Sequence, residues 1–505
     1  MTPAPAGPMR CPTSDRKPGP TLDPSARLVR SRANVARGFA PAIVIALAAL
    51  SACAPKVKYV PPAVEAPTAF RENENWKVAQ PSDALLRGDW WVLFDDADLD
   101  ALEQQVDVSN QNLKAAEAQF AAARALVRGA RANRFPQVSV GPSIAAERQS
   151  GTRAVSTFHD VYADFLLPGY VSYEVDVWGR IRSTIEASRT NAQATAADLE
   201  AARLSVHAEL AADYFALRGT DREKVLLDSA VASFERALEL TQNRFTGGIA
   251  SQADVALAET QLETTRAQAA DVEVGRAALE HAIAELVGKP ASTFSIAVVP
   301  RASTPPDVPA GVPSALLERR PDIAAAERRV ASASAQVGVA TAALYPILTL
   351  SGAGGFESSS FGTWLAAASN FWSVAPTALI NVFDAGRRRS VVEQARANLD
   401  LAAANYQTSV LAAFREVEDQ LAALRILDQE GAIQQRAVDA AERSLMQATN
   451  RYRGGLASYL EVTSAQTAAL DNERTAVGIL TRRLNASVLL MKGIGGGWQA
   501  STLAP

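Results

Sequence analysis

The chain of 505 residues has only two cysteines, Cys11 and Cys53, and three isolated histidines, His159, His207 and His281. So few thiols supply no disulfide framework. Without an H-E-x-x-H motif or a Cys/His cluster, no metal site is expected. Aromatic residues make up 6% of the sequence against 48% apolar residues, with alanine the largest contributor. That composition suits long helices better than a set of compact catalytic domains. No nucleotide-binding motif is present, since Gly495-Gly496-Gly497 lacks a following Lys-Ser/Thr, and no G-x-S-x-G elbow occurs. Neither an enzyme nor a cofactor is expected. A basic surface is missing too. Residues 1–52 hold seven of the 50 Lys+Arg and two of the 54 Asp+Glu, leaving 43 against 52 and a formal charge of −9 for the remainder. Nucleic acid is therefore not an expected partner.

Apolar runs are short. After Arg27, Arg30, Arg32 and Arg37, the segment Phe39–Leu50 is about 12 residues long, below the ~20 that a helix needs to span a bilayer. It ends in Leu50-Ser-Ala-Cys53. This resembles a bacterial lipobox, in which Cys53 is the lipid attachment residue and becomes the first residue after cleavage. An ordinary secretory signal with a neighbouring cysteine is the alternative. Ala54 is not aspartate, which favours delivery to the outer membrane. Residues 1–26 are Pro/Ser/Arg-rich and extend the leader beyond the usual length.

Proline is segregated. Of 26 prolines, none lies between Arg180 and Lys289, and none between Arg387 and Pro505. Proline costs roughly 3 kcal/mol inside a helix, so two long helical blocks are marked out. Within them the sequence repeats itself. Gly179 precedes Gly247 by 68 residues and Gly386 precedes Gly454 by the same 68, so both markers share an offset of 207. Arg218/Arg425 and Asp221/Asp428 keep that offset. A large duplication follows as the reading. Each copy runs for about 66 residues of helix, on the order of 100 Å at 1.5 Å per residue. It then turns at Arg244-Phe-Thr-Gly247-Gly248 or Arg451-Tyr-Arg-Gly454-Gly455 and returns as a second helix. Glycine pairs suit left-handed helix caps, and Ser251-x-x-Asp254 and Ser458-x-x-Glu461 both read as capping boxes.

Ahead of each block the period changes to two. Val171, Tyr173, Val175 and Val177 alternate with Ser172, Glu174 and Asp176, the pattern of a strand with one apolar face. Phe135–Val140, Tyr345–Ser351 and Ala375–Phe383 are weaker examples, giving two strands per copy. A single-chain bacterial barrel starts at about eight strands. Four strands in a membrane must therefore be shared among several chains, unless they form a small soluble sheet capping the helices. Two loops, Gln149–Asp160 and Glu357–Asn370, join the strand pairs, and Phe361, Trp364, Phe371 and Trp372 are candidate interface aromatics.

Trp178-Gly-Arg-Ile-Arg182, Leu317-Glu-Arg-Arg-Pro-Asp-Ile323 with Ala326-Glu327, the paired glycine hairpins and Gly495-Gly-Gly-Trp498 resemble the outer-membrane efflux proteins, the TolC-like outer-membrane factors. Within them the chain is most similar to the NodT/OprM-type lipoprotein branch. The resemblance implies a mainly α fold with a membrane β part: a homotrimer whose four strands per chain close a 12-stranded barrel, continued by a helical tunnel through the periplasm. It also implies the partners, a periplasmic adaptor and, through it, a proton-driven inner-membrane pump. The hairpin tips at Gly247, Gly248, Gly454 and Gly455 correspond to the adaptor-docking surface. Asp254, Tyr452, Leu460, Glu461 and Ser464 correspond to the periplasmic entrance. Ser464 stands where the family commonly has aspartate, which puts an acidic ring there in doubt. Asp254 and Glu461 also have the plain reading of helix caps.

The expected division is a leader at 1–52, a lipidated tether at 53–89, and a first copy at 90–288 with strands near 134–147 and 161–178 and helices near 180–246 and 251–287. An equatorial linker at 289–320 follows. The second copy spans 321–492 with strands near 345–356 and 375–385 and helices near 387–453 and 458–492, and a tail occupies 493–505. The expected function is passive export of drugs or small toxicants. Protein secretion and metal-ion efflux are alternatives within the class. A lipid-anchored adaptor or a coiled-coil spacer is the alternative outside it.

Overall fold

Two α-helices of 67 residues each dominate the chain, and each turns back into a helix of 35 residues. The computed structural model describes residues 88–148, 161–300 and 319–498, with scattered positions at 59–73, 150, 152 and 303–306. The leader, Cys53, most of the tether including Trp76, most of the loop Gln149–Asp160, most of the linker beyond Pro300 and the end of the tail lie outside the described residues.

In chain order the elements are α1 (Ala97–Ser109), α2 (Gln111–Ala132), β1 (Gln137–Val140), β2 (Ser143–Glu147), β3 (Tyr162–Glu174), α3 (Arg180–Thr246), α4 (Gln252–Leu286), α5 (Pro321–Ala342), β4 (Ile347–Ser358), β5 (Asn370–Leu379), α6 (Arg387–Arg453) and α7 (Tyr459–Gly493). Matching side-chain links brace the two hairpins. Asp221 on α3 binds Arg276 on α4 at 2.7 Å, and Asp428 on α6 binds Arg483 on α7 at 2.6 Å. Residues 276 and 483 are again 207 apart.

The shorter helices extend the returning ones. At the end of α4 the carbonyls of Leu286 and Val287 lack helical donors, and the Asn110 amide and Ser109 hydroxyl supply them at 2.8 and 2.7 Å. α2 therefore starts where α4 stops. In the same way the Arg320 guanidinium donates to the Gly493 carbonyl at 3.1 Å, seating α5 on the end of α7. The main core lies at this mid-level. Trp90, Trp91, Phe94, Leu99 and Val106 pack against Tyr214, Phe215 and Leu217 of α3, together with Val417 and Leu421 of α6 and Leu490 of α7.

The sheet is antiparallel throughout, in the order β1/β2, β3, β4, β5. β1 and β2 share one register against β3 and are one strand line, interrupted at Gly141-Pro142 because proline has no N–H to donate. Three boundaries differ from the sequence reading. β3 ends at Glu174, short of 178, because the Asp176 carboxylate accepts the Ile181 and Arg182 amides and starts α3. Val177 is consequently buried at the turn and is not on a strand face. β5 begins at Asn370, five residues before Ala375, so Phe371 and Trp372 pair within the ladder instead of lying in the loop. β5 also ends at Leu379, short of 385, and carries Pro376 in its interior as the outermost strand of the chain's own sheet.

Candidate functional site

The two hairpin tips are built alike and finished differently. At the first, Gly248 is left-handed at φ 75°, and the Ile249 amide returns to the Arg244 carbonyl at 2.8 Å. At the second, Gly455 has φ 72° and the Leu456 amide returns to the Arg451 carbonyl at 2.8 Å. Only the second glycine of each pair is left-handed. Gly247 and Gly454 have φ of −78° and −75°, which any residue adopts.

Ser251 and Asp254 form the expected capping box. Asp254 N–H donates to Ser251 Oγ at 3.2 Å, and Ser251 N–H donates to Asp254 Oδ2 at 2.9 Å. Ser458 makes no such bond, which corrects the sequence reading of the second box. The Glu461 carboxylate is occupied by Arg451 Nη1 at 3.0 Å, and Arg451 Nη2 also donates to the Leu456 carbonyl. The arginine equivalent to Arg451 in the first hairpin is Arg244, and it goes elsewhere. Its guanidinium lies 4.7 Å from the centre of the Tyr452 ring and donates to the Arg453 carbonyl at 3.3 Å. Asp254 is thereby left free to close its own cap. Arg244 also ties the first tip to the second.

Tyr452 is 5% exposed, packed edge-on to Tyr459 with ring centres 5.3 Å apart and surrounded by Ala448, Val462 and Ala258. Burial raises the Tyr459 hydroxyl to a pKa of about 12, with the Tyr452 hydroxyl adding to the shift. Tyr452 thus belongs to the core of the tips. Leu460 is 57% exposed, and Glu461 and Ser464 are exposed beside it, on the first turns of α7. The structure therefore brings Leu460, Glu461 and Ser464 to one free surface, holds Asp254 in a cap, and buries Tyr452. Arg244 was visible in sequence only as a helix-end cation, because its partner is 208 residues away.

At the opposite end of α3 and α6, the register divides the sheet into two faces. One carries Val138, Val140, Ile144, Phe165, Leu167, Val171, Leu350, Phe356, Trp372 and Val374 and no charged residue. The other carries every charged residue of the strands. Among the described residues no helix is long and apolar enough to cross a bilayer. The strand lines are 10 to 13 residues long, against the ~9–11 that a membrane strand needs.

The family profile for the outer membrane efflux protein matches residues 102–289 and 312–496. The chain belongs to that family. It is an outer-membrane efflux protein, with 31% identity over 460 residues to the outer membrane protein OprJ of Pseudomonas aeruginosa, covering 90% of this chain and 95% of OprJ. Identity to the toluene efflux pump outer membrane protein TtgI of Pseudomonas putida is 30% over 394 residues, 78% of this chain and 84% of TtgI. The solved outer-membrane channel OprN superposes with a TM-score of 0.80 at 30% identity, covering 87% of this chain and 99% of OprN. The efflux protein is thus a protein of the outer membrane, with the fold of a solved outer-membrane channel.

Proposed function

We propose that this efflux protein is the exit duct of a tripartite pump, formed by three copies of the chain. The observation that carries this is the sheet: one face carries no charged residue and the two outer strands, β1/β2 and β5, each pair on one side only. An open edge in lipid leaves backbone groups without partners, so such a sheet requires closure. Three copies give a 12-stranded barrel, and α3 and α6 carry its wall on the order of 100 Å into the periplasm. Cys53 anchors the chain by lipid. The tips at Gly247-Gly248 and Gly454-Gly455 receive a periplasmic adaptor, which links the duct to a proton-driven inner-membrane pump. Small toxic organic compounds are the proposed cargo, as the name of TtgI suggests for that relative.

In this reading Leu460 narrows the entrance sterically, and Glu461 and Ser464 line it. The Arg451–Glu461 pair and the Asp254 cap hold the first turns of α7 and α4 in place, and Tyr452 acts from behind as a positioning residue. In planar bilayers the purified protein is expected to form pores. Leu460→Ala and Glu461→Ala are expected to raise single-channel conductance or open probability. Unchanged current in both variants would remove the entrance assignment, and a protein that neither trimerises in detergent nor conducts would remove the duct.

A further inference from the structure

The two loops that join the strand pairs have opposite character. Gln149–Asp160 includes Arg153, His159 and Asp160, whereas no Asp, Glu, Lys, Arg or His occurs from Ser358 to Phe383, the stretch that holds the loop between β4 and β5. This second loop, at the end of the sheet away from the helices, is folded by its own polar groups. The Ser358 and Thr363 hydroxyls lie 2.8 Å apart and reach the Ser360 carbonyl at 3.0 and 3.3 Å, and Ser369 Oγ donates to the Thr363 carbonyl at 2.7 Å. The backbone amides of Thr363, Trp364, Ala366 and Ser369 also donate to carbonyls within the loop. Polar groups already bonded to one another cost far less to take out of water than free ones.

The loop is bent to one side of the sheet. Phe165, on the uncharged face of β3, meets the Phe361 ring at 5.8 Å and the Trp364 ring at 5.6 Å. Phe361 and Trp364 therefore lie against that face, and not against the opposite one, where the register puts Phe371 and Ser373. Their support, β3, has strand neighbours on both sides, so the loop leans away from the outer strand β5, where another copy would join. Apolar surface stays open in the loop and beside it: Phe361 is 72%, Leu365 64% and Trp372 77% exposed. Such surface next to an uncharged face marks a site of contact. We propose that the loop Ser359–Ser369 is an apolar wedge seated among the acyl chains of the outer leaflet. The proposal rests on the three-chain duct proposed above, in which the uncharged face is turned to lipid, and the wedge continues that face past its last strand pair, Phe356 with Asn370. Three copies place three wedges around the barrel and fix its height in the leaflet.

The test is the surroundings of a nitroxide label on the full-length protein in phosphatidylcholine vesicles, read as its accessibility to oxygen relative to a water-soluble nickel chelate. Leu365→Cys carries the probe, because that side chain is exposed and its replacement leaves the contact with Phe165 in place. Val171→Cys, on the uncharged face of β3, reports the barrel wall, and Ser373→Cys, on the opposite face of β5, reports the bore. The labelled unsubstituted chain gives the background of Cys11 and Cys53. Leu365→Cys is expected to match Val171→Cys, with an oxygen-to-nickel ratio several-fold above that of Ser373→Cys. A ratio at Leu365→Cys as low as that at Ser373→Cys, beside a lipid-like Val171→Cys, would overturn the inference and put the loop in water. A Leu365→Cys label that neither probe reaches would overturn it as well, with a neighbouring copy as the cover. A Val171→Cys label as polar as the one at Ser373→Cys would strike the duct itself.

Discussion

His207 is 2% exposed, and both its ring nitrogens face carboxylates: Nδ1 is 2.6 Å from Glu103 and Nε2 is 3.4 Å from Asp107. Its ring stacks on Trp91 at 4.5 Å, and Arg203 closes the group by binding Asp107 at 3.3 Å. The cluster joins α1 to α3 at mid-level. Burial pushes the Glu103 carboxyl up to about 7; the His207 bond and charge pull it partly back, and Asp107 and Asp100 push it higher. With the folded value above the unfolded one, the folded state holds an extra proton between pH ~4.5 and ~7. The stability this group contributes is full below that window and is lost as pH rises through it, on the order of 3 kcal/mol in all. Asp213, raised to about 6 by burial and by Glu209, adds a slope of the same sign. Glu103→Gln keeps the shape without the titration, so its melting temperature should fall less between pH 5 and pH 8 than that of the wild type. An identical fall in both proteins would show that Glu103 does not titrate in this window.

At the scale of elements, the two hairpins come close together at Gly219. A Cβ built there would overlap Thr481 Oγ1 and lie 3.1 Å from its Cγ2, so α3 and α7 touch through this glycine. Glycine inside a helix is ordinarily worse than alanine by about 1 kcal/mol. Here the β-branched Thr481 has little χ1 freedom to move aside, and Gly219→Ala should destabilise by about 1–3 kcal/mol. Melting temperature would read the loss, and adding Thr481→Ala should recover most of it. Gly275, with nothing within 4 Å, is the control and should gain slightly as alanine. A Gly219→Ala variant as stable as the wild type would dismiss the contact. Sequence reading sees Gly219 only as an interruption in good helix formers, because Thr481 arrives from 262 residues away. What it does see well is local. The glycine pairs, the Ser251–Asp254 cap and the proline-free blocks are all decided within a few residues, and the elements end close to where those signals stand. It fails where a distant group competes. The Glu461 cap is lost to Arg451, Tyr452 is drawn into the tip core by Arg244, and β3 stops early because Asp176 is taken by the amides that open α3.

For the whole molecule, the sheet sets which strands must meet when copies of the chain close a barrel. Within one chain β1/β2 and β5 are the two outer strands, separated by three strand spacings, about 14 Å at ~4.8 Å each. If three copies close a barrel, β5 of one protomer must pair with β1/β2 of the next, and apolar-face residues must meet apolar-face residues because strand alternation permits nothing else. Val374 on β5 then faces the neighbourhood of Val138, Val140 or Ile144 of the adjoining chain. Pairing Val374→Cys in turn with Val138→Cys, Val140→Cys and Ile144→Cys is therefore predicted to yield, for at least one combination, covalent dimers and trimers on non-reducing gels. A disulfide needs Cα atoms within about 7 Å, so the same pair cannot close inside a single chain. Pairing Val374→Cys with Ser139→Cys, which lies on the polar face, should cross-link poorly. Species larger than a covalent trimer would mean an open array in place of a closed ring, and monomers alone across the whole set would mean that these edges do not meet at all.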